Sequence, residues 1–283
     1  VPNFHYFHPD DNVAPNATVS IGTGTANSSY PATNATLLTY AKIAAPSKLQ
    51  EVTGAWVFDF GAAQRVDAVL LWHNFDAGLG VSFQGHTSNS WGTPTLTTAL
   101  TIPSKRADDY TVKVYKDITG VSGYSASGLR YWRLNVSGSN SVAIGIKILL
   151  FSQIRTTTRN IRWNMTHAEH QTAIDMTTDA LVPWAYDLSS APRGLVADFV
   201  GTDADATKIR EWFRACAGRV NPTVIVPDPS DPDPYLCRWS SGQAGVVAPR
   251  LDVTPLGIQR EFTNVQRVRL AFEEISAGDP EWD

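Results

Sequence analysis

Cysteine is scarce. The 283 residues contain only Cys216 and Cys237, too few to staple a small secreted scaffold, and neither belongs to a Cys-x-x-Cys pair. Long apolar runs are missing too. The longest, Ile144–Phe151, is interrupted by Gly145 and Lys147, far short of the ~20 residues that cross a bilayer, so no membrane insertion is expected. Charge of one sign is not in excess: the formal net charge is −4, which leaves no general basic footprint for nucleic acid. The opening Val1-Pro2-Asn3-Phe4-His5 has no basic stretch before an apolar core, so no signal peptide is expected.

Motifs for catalysis are equally sparse. Gly123-Tyr124-Ser125-Ala126-Ser127 is not the Gly-x-Ser-x-Gly of a nucleophile elbow. Gly22-Thr23-Gly24-Thr25-Ala26-Asn27 lacks the third glycine of a dinucleotide loop. His167-Ala168-Glu169-His170 spaces its histidines three apart, where a zinc-protease helix needs four. The cluster His5 to Asp11 sits on an arm, and Asp228-Pro229-Ser230-Asp231-Pro232-Asp233 lacks the glycine and final glutamate of an EF-hand. No catalytic residue, cofactor or metal site is therefore assigned, and an enzyme is not expected.

What is present is β-patterning. The length suits two domains. Residues 1–29, rich in Asn, Ser, Thr, Ala and Pro, read as an extended arm. Ala35-Thr36-Leu37-Leu38 could lie along the outside of a following sandwich. From Trp56 the period becomes two, with Trp56, Phe58 and Phe60 alternating against Val57 and Asp59. Gly61 to Gln64 reads as a turn. Val66–Trp72, Val81–Phe83, Thr111–Tyr115, Tyr131–Val136 and Val142–Phe151 follow as short strands between Gly/Ser/Asn/Thr turns. The expectation is an antiparallel jelly-roll β-sandwich over residues 30–152.

Residues 153–283 read as a second β-sandwich or barrel with one α-helix. Its strand candidates include Ile161–Met165, Val182–Tyr186, Leu195–Val200, Thr223–Val226, Leu236–Trp239 and Leu251–Val253. The helix, over 203–217, places Ala206, Ile209, Trp212, Phe213 and Cys216 on one face. Thr202 or Asp203 can cap its start, and Gly218 can stop it. Cys216 and Cys237 fall where they are either bridged or two buried thiols.

Three stretches of the first region resemble the discoidin-like, or galactose-binding-like, jelly roll: Trp56-Val57-Phe58-Asp59-Phe60-Gly61, Arg65-Val66-Asp67-Ala68-Val69 and Arg130-Tyr131-Trp132-Arg133-Leu134. The second region more loosely resembles the β-plus-helix domains of long-tailed bacteriophage tails, through its order of strands, helix, aliphatic strand, proline-rich loop and charged final strand. Together these imply a structural virion protein of a tail tip or baseplate, made in the bacterial host cytoplasm. It would form a homo-oligomeric ring, a hexamer or trimer, and contact other tail and baseplate proteins. The familiar distal tail protein puts its tube-forming domain first, the reverse of the order here, so a distal tail protein and another baseplate or minor tail component both stay open. Arg267, Arg269, Glu273 and Glu274 on the final strand are the candidate subunit contacts.

The other reading is a carbohydrate-binding module or adhesin for host surface glycans. Trp91, in His86-Thr87-Ser88-Asn89-Ser90-Trp91-Gly92, and Tyr124 stand in stretches otherwise too polar to be core. An aromatic ring can stack on a sugar's C–H face while a neighbouring amide such as Asn89 holds hydroxyls.

Overall fold

A computed structural model describes residues 3–36, 38–39, 42–43, 46–103, 112–158, 166–169, 173–177, 183–187, 193–217, 221–239, 256–262 and 265–274. The chain is mainly β and divides into two units. One is built chiefly from Asp10–Arg155; the other joins Val1–Pro9 to Thr156–Ser230 and Tyr235–Asp279. In chain order the sandwich is thus an insertion after the first strand of the other unit.

The Asp10–Arg155 unit is an antiparallel jelly-roll sandwich. Its five-stranded sheet runs Thr18–Thr23, Gly54–Gln64, Leu129–Ser137, Gly80–His86, Leu96–Leu100. The four-stranded sheet runs Val112–Asp117, Ala68–His73, Gly145–Ser152, Ser47–Lys48. Alternation decides which side chains enter the core. On Leu129–Ser137, Trp132, Leu134 and Val136 are buried, while Tyr131, Arg133 and Asn135 keep partial exposure on the other face. Phe151 fills the middle between the sheets, within 4.9 Å of the Phe58 ring and 5.3 Å of Phe83. Phe83 in turn stacks on Trp132 at 4.9 Å. Each such ring, buried with its partners, stabilises the sandwich by about 1.5–3 kcal/mol.

Several expectations shift here. Gly61 to Gln64 does not turn the chain but continues the strand to Gln64. The extra residues are taken up by a bulge opposite Leu129 and Tyr131, and the reversal comes at Arg65–Asp67. Val142 lies outside the closing strand and is exposed. Ala35 and Thr36 are buried, Ala35 in the core itself, where the outside of the sandwich was expected. Within the supposed arm, Thr18–Thr23 is an edge strand paired with Gly54–Gln64.

Loops at one end of the sandwich are joined through buried Asp67. Its carboxylate accepts two hydrogen bonds from Arg65, both 2.8 Å, and one from the Tyr124 hydroxyl at 2.6 Å. The Ile154 amide donates to it at 3.3 Å. Beside it, Gly123 adopts a left-handed φ of 84°, and a Cβ there would sit 1.8 Å from the Thr95 carbonyl oxygen. Only glycine lets the 118–128 loop lie against the start of strand Leu96–Leu100.

In the second unit the supposed arm supplies another strand. His5–Phe7 pairs antiparallel with Thr223–Val226, Tyr6 opposite Ile225. The Tyr6 ring lies 4.5 Å from Trp212 of helix Asp203–Ala215. Trp212 donates to Thr223 Oγ1 (2.8 Å), and that hydroxyl donates to the Phe7 carbonyl (2.6 Å), so the helix and first strand are held through one side chain. Ala206, Ile209, Trp212 and Cys216 are buried, as the helical spacing predicts, against Trp239, Leu270 and Phe272. Thr202 caps the helix through a box with Asp205. The left-handed residue after the helix is Ala217, with φ 47°; Gly218 lies outside the described residues. Cys216 and Cys237 are buried and not joined by a disulfide, and burial pushes the Cys237 thiol up. Ile161–Met165 and Leu251–Val253 also fall outside the described residues, whereas Pro183–Asp187 and Arg193–Thr202 are strands. None of the helices among the described residues is long and apolar enough to cross a membrane.

Two outcomes follow. Gly123→Ala should destabilise the sandwich by at least about 2 kcal/mol, since left-handed strain adds to the clash with Thr95; urea unfolding followed by tryptophan fluorescence checks this. The second concerns Asp205. Burial raises its pKa, but hydrogen bonds from Thr158 and Thr202 outweigh that and hold it below the ordinary 3.8. The carboxylate's contribution is therefore complete above that value and is lost as pH falls through the lower folded pKa. Asp205→Asn should cost about 1–2 kcal/mol near neutral pH. The gap to wild type should close in acid below about pH 4, as urea midpoints across pH would report.

Candidate functional site

Outward-facing side chains of the five-stranded sheet make a polar face, because each strand's alternate residues are committed to the core. Register fixes the neighbours. Arg133 lies opposite Gln84 on one side and Val57 on the other. Asn135 lies opposite Ser82, and Tyr131 lies between His86 and Asp59. Residues two apart on a strand are ~7 Å apart, so Arg133, Gln84, Asn135 and Ser82 form a four-cornered patch about the size of one hexopyranose ring.

The loop after Gly80–His86 folds over this patch. Ser90 N donates to the Ser88 carbonyl at 2.8 Å, which tightens the loop. His86 Nδ1 and Thr95 Oγ1 meet at 2.7 Å across its base. Trp91 Nε1 donates to Asn89 Oδ1 at 2.9 Å. The indole consequently lies over the Arg133 guanidinium, 4.7 Å from the ring centroid. Asn89 and Trp91, both candidates from sequence, are thus brought together, with Asn89 orienting the ring.

Arg133 is the residue that sequence reasoning missed as part of this site. Its Nε donates to Gln84 Oε1 at 2.7 Å, and no carboxylate among the described residues pairs with it. Arg130, three residues away, differs. It makes a two-point ion pair with Asp59 (2.8 and 3.0 Å) and lies 4.7 Å over the Tyr131 ring. That hydrogen-bonded pair holds the Arg130 pKa up and the Asp59 pKa down, whereas burial pulls Arg133 below its ordinary value. The signal available in sequence was the strand Arg130-Tyr131-Trp132-Arg133. Parity puts Arg133 on the face opposite Trp132, but not beside Trp91.

Tyr124 sits elsewhere. Its loop reaches the same end of the sandwich, where Gly123 meets Thr95. Its hydroxyl is engaged by Asp67, and burial followed by that carboxylate raises its pKa. Tyr124 is thus held by Asp67, whereas Trp91 is held by Asn89 and lies over Arg133.

Arg267, Arg269, Glu273 and Glu274 lie on Val265–Glu274, an interior strand. One edge pairs with Arg193–Thr202, the other with Leu256–Phe262 and Tyr235–Trp239. Arg267 stands opposite Val200, Arg269 opposite Asp198 and Glu273 opposite Gly194. Glu274 falls in register with Cys237, at the same parity as buried Leu270 and Phe272. Among the described residues no three His, Cys, Asp or Glu side chains gather as a metal ion would need.

No family model matches this sequence, and no curated protein matches it by sequence. Solved structures resemble it at low identity. The lectin domain of lectinolysin, complexed with Lewis B antigen, is 12% identical over 50% of this chain and 96% of its own, with a TM-score of 0.37. A fucose-binding module of Streptococcus pneumoniae is 8% identical over 51% of this chain and 98% of its own, TM-score 0.36. Chitosan-binding module 1 from a Paenibacillus chitosanase/glucanase is 17% identical over 51% and 98%, TM-score 0.33. At these values the likenesses assign neither family nor ligand to this chain.

Proposed function

We propose that the chain is a glycan-binding protein that holds a saccharide against the outer face of the five-stranded sheet, with Trp91 at the rim of the site. The observation that carries this reading is the Trp91 ring, pinned by Asn89 over Arg133 at the edge of a polar patch. A stacking ring beside fixed hydrogen-bonding groups is the chemistry a sugar needs, since a sugar offers one apolar face and an equatorial fringe of hydroxyls. Asn135 and Ser82 supply partly exposed polar groups on the same face. The role is attachment, not turnover.

A ring-forming tail-tip component is the other expectation. It rests on the order of elements in the C-terminal region, and the strand named for its charged contacts is paired along both edges. The sandwich face has the more specific geometry, which favours glycan attachment.

A glycan array probed with the whole chain tests it. Saturable binding should appear and should weaken about tenfold or more in Trp91→Ala, the loss expected of a central aromatic contact. Binding unchanged in that variant would remove the site. Tyr124→Phe should leave glycan affinity as it is while costing about 1–2 kcal/mol of stability through the lost bond to Asp67, as parallel thermal and urea unfolding would measure.

A further inference from the structure

We infer that the saccharide bound on this face carries a carboxylate, and that Arg133 is the residue that selects it. The inference rests on the glycan-binding reading of the same patch and adds the ligand's chemical class. Arg133 projects from the middle strand of the sheet, between Gln84 and Val57 in register. Its Nε–H is taken by Gln84 Oε1, and its Cζ lies over the Trp91 ring, 4.7 Å from the centroid. Both contacts hold the guanidinium in place without offsetting its charge. Among the described residues, the Nη hydrogens along the outer edge have no acceptor.

Arg130 and Arg65 show what the same unit does with a guanidinium that only holds the fold together. Each is given a carboxylate in a two-point grip, Asp59 and Asp67 respectively. Arg133 has the same kind of aromatic support as Arg130, but a neutral amide takes the place of the carboxylate. Asp59, the acidic residue of the neighbouring row, is already engaged by Arg130. A held, partly desolvated and uncompensated guanidinium presents a planar fork, the geometry that grips a carboxylate at two points. A pyranose bearing that carboxylate can reach Asn135 and Ser82 with its hydroxyls, ~7 Å along the strands.

The test uses titration calorimetry on the full chain, with two pairs of probes that differ only in charge. One pair is trigalacturonate against its methyl ester; the other is sialyllactose against its carboxyl methyl ester. These separate an in-chain uronate from a terminal sialic acid as the source of the carboxylate. At least one acidic probe should bind about tenfold or more tighter than its neutral counterpart. Arg133→Gln should abolish that preference, bringing the acidic probe's affinity down to that of its neutral counterpart in the same variant. Arg133→Lys, which keeps the charge but loses the fork, should hold only part of the preference and covers the case where the Gln variant folds poorly. Equal affinity for charged and neutral probes in the wild type overturns the inference and leaves the glycan-binding reading standing. Trp91-dependent binding with a charge preference unaffected by Arg133→Gln overturns Arg133 as the selecting residue. Absence of binding to any probe or array glycan overturns both readings together.

Discussion

The strand Leu129–Ser137 is hydrogen-bonded along both edges, to Gly54–Gln64 and to Gly80–His86. That double pairing leaves it no freedom to slip. A slip of one residue would bring Arg133 into the core and push Trp132 and Leu134 out to water, reversing the burial of every side chain on the strand. The position of the polar face is therefore set by the same register that packs Phe83, Trp132 and Phe151 between the sheets. The proposed site, on the middle strand of the sheet, inherits the rigidity of that sheet. Only its rim, the turn carrying Asn89 and Trp91, depends on a loop, and the loop is closed internally by Asn89 and by His86 with Thr95.

Asp67 performs the matching task at the end of the sandwich. A buried carboxylate without partners would be costly. Here it is shared by Arg65, Tyr124 and the Ile154 amide, which ties three stretches distant in sequence to one point. This separates the two aromatics singled out in the sequence. Trp91 is hydrogen-bonded within its own loop and rests on a cation, whereas Tyr124 spends its hydroxyl on the fold. Composition around the two residues is much alike, polar and small. The difference lies in what the fold places opposite each ring.

In the other unit the first strand and the helix are interdependent. Thr223 accepts from Trp212 and donates to the Phe7 carbonyl, so the aromatic layer of Tyr6, Trp212, Trp239 and Phe272 closes only when residues from opposite ends of the chain meet. The His5–Phe7 strand escaped the compositional reading because it is short and surrounded by Asn, Pro and Asp. The alternating Phe4 and Tyr6 were its one signal. Thr18–Thr23 escaped for a related reason: it is an edge strand made of small and polar residues, with only Val19 and Ile21 to mark its inner face.

The sequence by itself determined the β class, the alternating core of the sandwich and the apolar face of the helix. Each is a local periodicity, and burial acts on side chains at fixed intervals along one strand or one helix. It also marked Trp91 and Asn89, through an aromatic ring where no core could use it. Tertiary structure alone decided that His5–Phe7 pairs with Thr223–Val226, that Tyr124 serves Asp67, and that Arg133 lies uncompensated beneath Trp91. These depend on which strands become neighbours and in what register. That choice is made by long-range pairing, which no local pattern encodes.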